Sequence, residues 1–586
     1  MKRNNWLKHI DTISWFKKPK IEKNEIGYNK FHWFPDGKIN IAYNCLKKNI
    51  DSGNAEKTAI FFVNKKGKIS KLSFKELEIV TQKVAYLLKK NLKNKKKPKI
   101  MLQASSSVES AAIMLASSMI GVCFSIIFED LNYDAVMRRI ILVKPDIFLS
   151  TSENFNFRKY EKNLKKNNLN TKLFLIKKNS KKKMKNLINI DKLKQLYKKY
   201  KPIKSNKPLF ILFTSGSTGV PKGILHSYSG YFFYSVFTSI KQFGLNKNSV
   251  FLTASDAAWI NGHTYALFSP LGVGATTILI EKPSIILKSN ILEKIVLTCK
   301  PTILYLPVTL IRLLKSLNIS LKFKHSISSL GSMGEPLAST VARWFSKNFM
   351  KKYVPIVNTY FQTETGGIVY SPKYNDKKIS YGTVGKPVCE LIKINKNLKK
   401  KFEIKIKKAW PGLMLDVING ENEWNKYWDK NGNFNLFDIG SINKSNNLII
   451  HGRSDDVINI RGKRLGSEEV ESELLKLKEI SEVCAIAVED ELEGNLLVIF
   501  YSTAKKYNFD IEDKIFNLLN NSFGSFALPK SIYKIIELPK TRSGKIVRRV
   551  LRDLYLKKDD KKLGDLSTMI NKNCIKDILK KIKDEK

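Results

Sequence analysis

Cysteine and histidine are both scarce in this chain of 586 residues, with six of each. The cysteines (Cys45, Cys123, Cys299, Cys389, Cys484 and Cys574) form no C-x-x-C pair and share no metal-ligand spacing with the histidines, which argues against a zinc module and a disulfide framework. A reducing compartment fits this pattern, so a cytoplasmic location is expected. The segment MKRNNWLKHIDTISWFKKPK has no apolar h-region and is not read as a signal peptide. Long hydrophobic runs are missing too. The stretch from Ala111 to Phe128 approaches the length of a membrane span, but Ser117, Ser118, Gly121 and Ser125 interrupt it, and the pattern predicts a buried helix followed by a buried strand.

Arginine is the third scarcity. Only 13 of the 104 basic residues are Arg, although the formal charge is +52. A lysine excess accompanied by many Asn and Ile reads as solvated surface, so neither nucleic acid nor a membrane is expected as a partner. Arg presents a planar fork that grips phosphate, whereas Lys is a point charge. Seven of the 13 arginines lie between Arg453 and Arg552, which makes that region the first place to seek an anionic ligand.

Core material, by contrast, is ample: 43% of residues are hydrophobic, with 32 Phe and 22 Tyr, enough for two or more domains. TAIFFV followed by FKELEIVTQKVAYLLKK, and TILYL followed by VTLIRLLKSL, alternate strand-like and helix-like segments. They predict an α/β fold of mixed, largely parallel sheets covered by helices. The Lys-rich run from Lys159 to Lys201 predicts a solvated surface excursion. At NLIIHGRSDDVINIRGKRLGSEEVESELL a strand meets a charged turn, a short strand and then a helix with Ser467 at its N-cap. Beyond it, VCAIAV, LLVIFYS, a helix and IYKIIEL read as a small separate α/β unit. The expected division is a large domain over 1–454 and a small, mobile one over 455–586.

Three clusters carry chemistry. In PLFILFTSGSTGVPKG an apolar strand from Leu209 to Phe213 feeds a loop of Thr214, Ser215, Gly216, Ser217, Thr218 and Gly219, followed by Lys222. Glycines let backbone N–H groups approach phosphate oxygens, hydroxyls add donors and the lysine adds charge, so this is a phosphate cradle, though not the G-x-x-x-x-G-K-[ST] pattern. In NTYFQTETGG, Glu364 sits among hydroxyls and aromatics before a Gly-Gly turn, where it could hold Mg²⁺ on a nucleotide. In PKTRSGKIVRR, Lys545 follows Ser-Gly on a turn ahead of a basic helix.

In this order the clusters resemble the adenylate-forming (AMP-binding) enzyme superfamily, and within it the acetyl-CoA synthetase-like short-chain acyl-CoA synthetases. The likeness runs from WFPDGKINIAYNCLKKN through TSGSTGVPKG, SDAAWINGHTYALFSPLGVGATT, LGSMGEP, TYFQTETGG and GRSDDVINIRGKRLGSEEVES to LPKTRSGKIVRRVLRDL and LGDLST, nearly the whole chain; the stretch around Arg158 diverges. The resemblance implies an acid-thiol ligase that uses ATP, Mg²⁺ and coenzyme A to convert a small carboxylic acid through an acyl-adenylate into a thioester. It implies that Lys545 serves adenylation, that Arg464 and Thr363 contact the α-phosphate, and that Asp438 and Arg453 hold the ribose. Gly334, Glu335 and Pro336 match the adenine-binding segment, and Asn358, Thr359, Tyr360, Phe361 and Gln362 belong to the nucleotide site. Glu364 matches the Mg²⁺ ligand, Asp455 the hinge about which the small domain rotates, and Gly462 the glycine lining the thiol tunnel.

Departures from the pattern bear on substrates. The acyl pocket would be lined by Ile260, Asn261, Met333 and Phe361, where acetyl-specific relatives have Val, Thr, Val and Trp; the preferred acid is expected to be acetate, propionate or a similar short chain. On the coenzyme A side, Glu129 and Asp130 stand in place of small residues, and Asn520 stands where an arginine is expected. Two alternatives therefore stay open: transfer of the acyl group to a carrier protein or other thiol, and a non-catalytic basic protein that uses the fold to bind RNA or membranes. Lys545, Glu364 and Arg464 speak against the second.

Overall fold

The computed structural model describes residues 5–176, 186–214, 222–394, 401–418, 421–454, 457–460, 463–490, 494–503, 511–523, 527–541, 544–557, 559, 563, 566 and 569–584. Two large sheets lie before residue 455. In the first, Leu187–Ile188, Lys172–Ile176, Ile147–Ser150, Lys99–Gln103, Cys123–Ile127 and Pro208–Thr214 pair in parallel in that spatial order. Lys222–Ser227 and Asp416–Ile418 then extend it antiparallel. In the second, Ile356–Asn358, Ser329–Met333, Ile303–Pro307, Val250–Thr253, Thr276–Ile280 and Thr58–Val63 are parallel, and Ile69–Ser73 closes the edge antiparallel. The expected mixed, largely parallel α/β architecture is present.

Local chemistry explains the elements. The helix Phe74–Asn91 follows its strand through a capping box in which Ser73 and Glu76 satisfy each other's backbone N–H. The stretch weighed as a membrane span is the helix Val108–Ile120, ended by Gly121 in the left-handed conformation, and the fully buried strand Cys123–Ile127. No helix among the described residues is long and apolar enough to cross a membrane. The Lys-rich run differs from expectation. Its strand Lys172–Ile176 buries Leu173, Leu175 and Ile176 and joins the first sheet, because the apolar residues of KLFLI outweigh the lysines around them.

After residue 455, Ile480–Asp490, Gly494–Thr503 and Ser531–Lys534 form a separate three-stranded sheet. Two apolar clusters pack around it, and among the described residues each draws only on residues beyond 469, whereas the larger clusters draw only on residues before 451. This supports a boundary near residue 455, which we propose. Ser467 opens the helix Ser467–Leu474, but its buried hydroxyl has no partner among the described residues and so caps nothing; it lies against Gly452.

Candidate active site

The sequence clusters converge at the C-terminal ends of parallel strands, where open α/β sheets gather ligands. Ser329–Met333 ends at Gly334, Glu335 and Pro336, and Ile356–Asn358 runs into Thr359. These two strands are adjacent and locked together: Ser332 Oγ donates to Asn358 Oδ1 at 3.0 Å, and Thr359 N and Oγ1 donate to Ser332 O at 3.0 and 2.9 Å. Tyr305 OH lies 2.7 Å from Thr359 Oγ1. Thr214 ends its strand directly opposite Lys222, so the two strands that flank the cradle sequence pair antiparallel. Ser215, Gly216, Ser217, Thr218 and Gly219 lie outside the described residues, as do Asp455 and Gly462.

Around the expected ribose position the side chains form one network. Tyr360 OH and Gln362 Nε2 donate to Asp438 Oδ2 at 2.6 and 2.7 Å, and Arg453 Nη1 stands 3.7 Å from Asp438 Oδ1. Burial raises the Asp438 carboxyl above its ordinary range, opposed by Arg453, Tyr360 and the charge of Lys545. A lysine at the far end of the sequence thus acts electrostatically on the centre of the large unit.

Thr363 and Glu364 are fixed through their backbones. His226 donates from Nε2 to Thr363 O at 2.7 Å; burial lowers its pKa to about 4, so it is neutral. That bond ties the strand Lys222–Ser227 to the 358–367 turn. Gly366, at φ +67, closes the turn where a Cβ would come within 2.1 Å of Gly412 O. Glu364 Oε1 accepts from Tyr427 OH at 2.9 Å. Among the described residues no three acidic, His or Cys side chains gather to hold a metal. A single carboxylate suits Mg²⁺, which keeps waters and takes its other ligands from substrate phosphates. Lys222 Nζ pairs with Glu423 Oε2 at 2.6 Å and lies 5.9 Å from the Tyr427 ring.

The small unit docks on this surface. Gly544 is at φ +83, and a Cβ there would come within 2.5 Å of Thr309 Oγ1 on the helix Val308–Ser316. Lys545 follows, exposed, its carbonyl accepting from Thr541 N at 2.8 Å. Nearby, Arg312 Nη1 bonds Glu335 Oε2 at 2.9 Å, and Arg548 Nη2 bonds Glu471 at 2.7 Å and stands 3.9 Å from Glu468 Oε1. Burial pushes the Glu468 carboxyl up to about 8, reinforced by Glu471 and Glu335 and opposed by Arg548 and Arg312. Arg464 lies on the strand Lys463–Gly466, paired with Asn459.

Ile260 and Asn261 open the helix Ile260–His263 and are 6% and 5% exposed; Met333, 4% exposed, ends its strand. Phe361 packs edge-on against Tyr265, with ring centroids 5.6 Å apart. On the expected coenzyme A side, Glu129 Oε1 accepts from Thr151 Oγ1 at 2.6 Å, Asp130 is exposed, and Asn520 is exposed on the helix Glu512–Phe523.

Comparison with known proteins identifies the family. The family model described as "AMP-binding enzyme" matches residues 48–401, its C-terminal domain model matches 469–545, and the model of the acetyl-coenzyme A synthetase N-terminus matches 4–45. The chain belongs to the AMP-binding enzyme family. Within the family it is similar to the acetyl-coenzyme A synthetase of Helicobacter pylori, 30% identical over 604 residues covering 97% of this chain and 91% of the relative. The Leptospira biflexa acetyl-coenzyme A synthetase is 30% identical over 98% of this chain and 93% of the relative. Two solved family folds superpose well. An acetoacetyl-CoA synthetase from Streptomyces lividans gives a TM-score of 0.82 at 16% identity, covering 99% of this chain and 91% of that one. An anthranilate CoA ligase in complex with anthranoyl-AMP gives 0.76 at 19%, covering 88% and 97%.

Proposed function

We propose that this AMP-binding enzyme is an ATP-dependent short-chain acyl-CoA synthetase, an AMP-forming acid-thiol ligase acting on a small carboxylic acid, ATP and coenzyme A. The observation that carries the reading is the close packing of Gly544 on Thr309, with Lys545 next in the chain and its charge acting on Asp438. In this reading Lys545 is the positive charge supplied where a carboxylate and an α-phosphate meet.

Two anions react in the first step, so transition-state charge must be offset by fixed donors. The acid's carboxylate oxygen bonds to the α-phosphorus as the bond to the bridging oxygen breaks, and pyrophosphate leaves. Lys545, Arg464 and Thr363 act on the α-phosphate. The loop from Thr214 to Lys222 cradles the β- and γ-phosphates, with Lys222 moving from Glu423 to phosphate. Asp438 and Arg453 hold the ribose, Gly334, Glu335 and Pro336 frame the adenine, and residues 358–362 wall the nucleotide. Glu364 would hold Mg²⁺, which supplies charge neutralisation on the phosphates. Asp455 serves as the hinge for the second step, in which the thiol enters past Gly462, its sulfur bonds to the acyl carbon, and AMP leaves. The acyl pocket is formed by Ile260, Asn261, Met333 and Phe361.

Pyrophosphate release is the test, measured with short acids in the presence and absence of coenzyme A. Acid-dependent release with acyl-CoA formed in equal amount is expected. Release without thioester formation would favour a carrier protein or other thiol as acceptor, and no release with any acid would overturn the reading.

A further inference from the structure

We propose that the acid this site selects carries a hydrogen-bonding oxygen, hydroxyl or carbonyl, on its short acyl chain, and that the Asn261 amide reads it. The inference rests on the acyl-pocket assignment above. Asn261 is 5% exposed, yet neither Nδ2 nor Oδ1 has a hydrogen-bond partner among the described residues. Buried amides are nearly always paired, because an unpaired donor or acceptor gives up its hydration for nothing.

On the same helical run Thr264 and Tyr265 are paired, whereas the His263 ring nitrogens, like the Asn261 amide, have no partner among the described residues. Tyr265 OH accepts from Ile368 N at 2.8 Å and lies 2.9 Å from Thr238 Oγ1. Thr264 Oγ1 lies 2.7 Å from Tyr231 OH and donates to Gly366 O at 3.3 Å. Thr264 and Tyr265 thus find partners, while both atoms of the Asn261 amide take none.

Its position relates the amide to the acyl pocket. Ile260–His263 continues directly into Thr264–Phe268, so Asn261 and Tyr265, four residues apart, share a face. Tyr265 lies edge-on to Phe361. The amide thus lies one turn from Tyr265, the ring against which Phe361 of the proposed acyl pocket packs, and next in the chain to Ile260. An alkyl acid would leave both amide atoms unpaired when it expelled water. A hydroxyl can accept from Nδ2 and donate to Oδ1, and a carbonyl can accept from Nδ2.

Pyrophosphate release with the full chain, ATP and Mg²⁺ decides it, using pairs that exchange OH for CH₃: glycolate and propionate, lactate and isobutyrate, 3-hydroxybutyrate and isovalerate. Pyruvate and acetoacetate serve as the oxo acids. At least one oxygen-bearing acid should exceed its apolar counterpart in kcat/KM by about tenfold or more, and Asn261→Leu should reduce that ratio by a similar factor. Asn261→Thr, which keeps one hydroxyl, should retain part of it and carries the comparison if the leucine variant does not fold; an ATP-induced thermal shift reports the integrity of the nucleotide site. The proposal is overturned if the methyl-bearing acids are preferred throughout, if the ratio survives Asn261→Leu, or if every acid loses in the same proportion, which would place the amide on the carboxylate common to all. No release with any acid would instead refute the synthetase reading on which the proposal rests.

Discussion

Substituting Gly544 by alanine places a methyl group at the contact that docks the small unit. Its Cβ would lie 2.5 Å from Thr309 Oγ1, 2.8 Å from Cβ and 3.2 Å from Cγ2. The left-handed backbone at φ +83 adds strain for any L-residue, about 1–2 kcal/mol, but this accompanies the residue in every domain arrangement. The clash with Thr309 belongs to the docked arrangement described above, and the proposed rotation of the small unit would relieve it. Overpacking of this kind costs about 1–3 kcal/mol, so the docked population and the adenylation rate should fall about 5- to 150-fold. Thioester formation from a supplied acyl-adenylate should fall far less. Thr309→Ala removes Oγ1 and Cγ2, and in the double variant should restore part of the adenylation rate. Single-turnover measurements of each half-reaction on the four proteins form the cycle. Equal loss in both half-reactions, or no recovery in the double variant, would refute the docking argument.

Three further outcomes follow from the proposed function and from the site. Gly462→Leu should spare acid-dependent pyrophosphate release and block acyl-CoA formation, read by assaying both products. Phe361→Trp should lower kcat/KM for four-carbon acids relative to two-carbon acids by about tenfold, measured on a chain-length series. Glu468, with its carboxyl at about 8, is held protonated in the folded chain; its stabilising contribution is full below its ordinary range and is lost as pH rises through about 8. Glu468→Gln, which mimics the protonated form, should flatten the fall in thermal midpoint measured between about pH 5 and 9.

Much of this was legible in the sequence because strand-to-turn patterns are local. The strand through Leu209–Phe213, the turn at Gly366 and the turn before Lys545 each declare themselves within about a dozen residues. Partners distant in the chain were not legible. Glu423 on Lys222, His226 on Thr363, Tyr427 on Glu364 and Thr309 under Gly544 are joined by sheet pairing and docking, which no local window contains. The cluster NEWNKYW, with its aromatics beside a carboxylate, was the available signal for Glu423 and Tyr427. The Lys172–Ile176 strand was hidden by the lysines around it, and the Ser467 cap failed because its hydroxyl faces Gly452 rather than a helix N–H.

The central claim is that one active site performs two half-reactions and that Lys545 serves only the first. Lys545→Ala tests it most directly. With a short acid, ATP and Mg²⁺, the variant should release no acid-dependent pyrophosphate, while with a supplied acyl-adenylate and coenzyme A it should form acyl-CoA at close to the rate of the unaltered protein. Loss of both activities together, or survival of pyrophosphate release, would contradict the account.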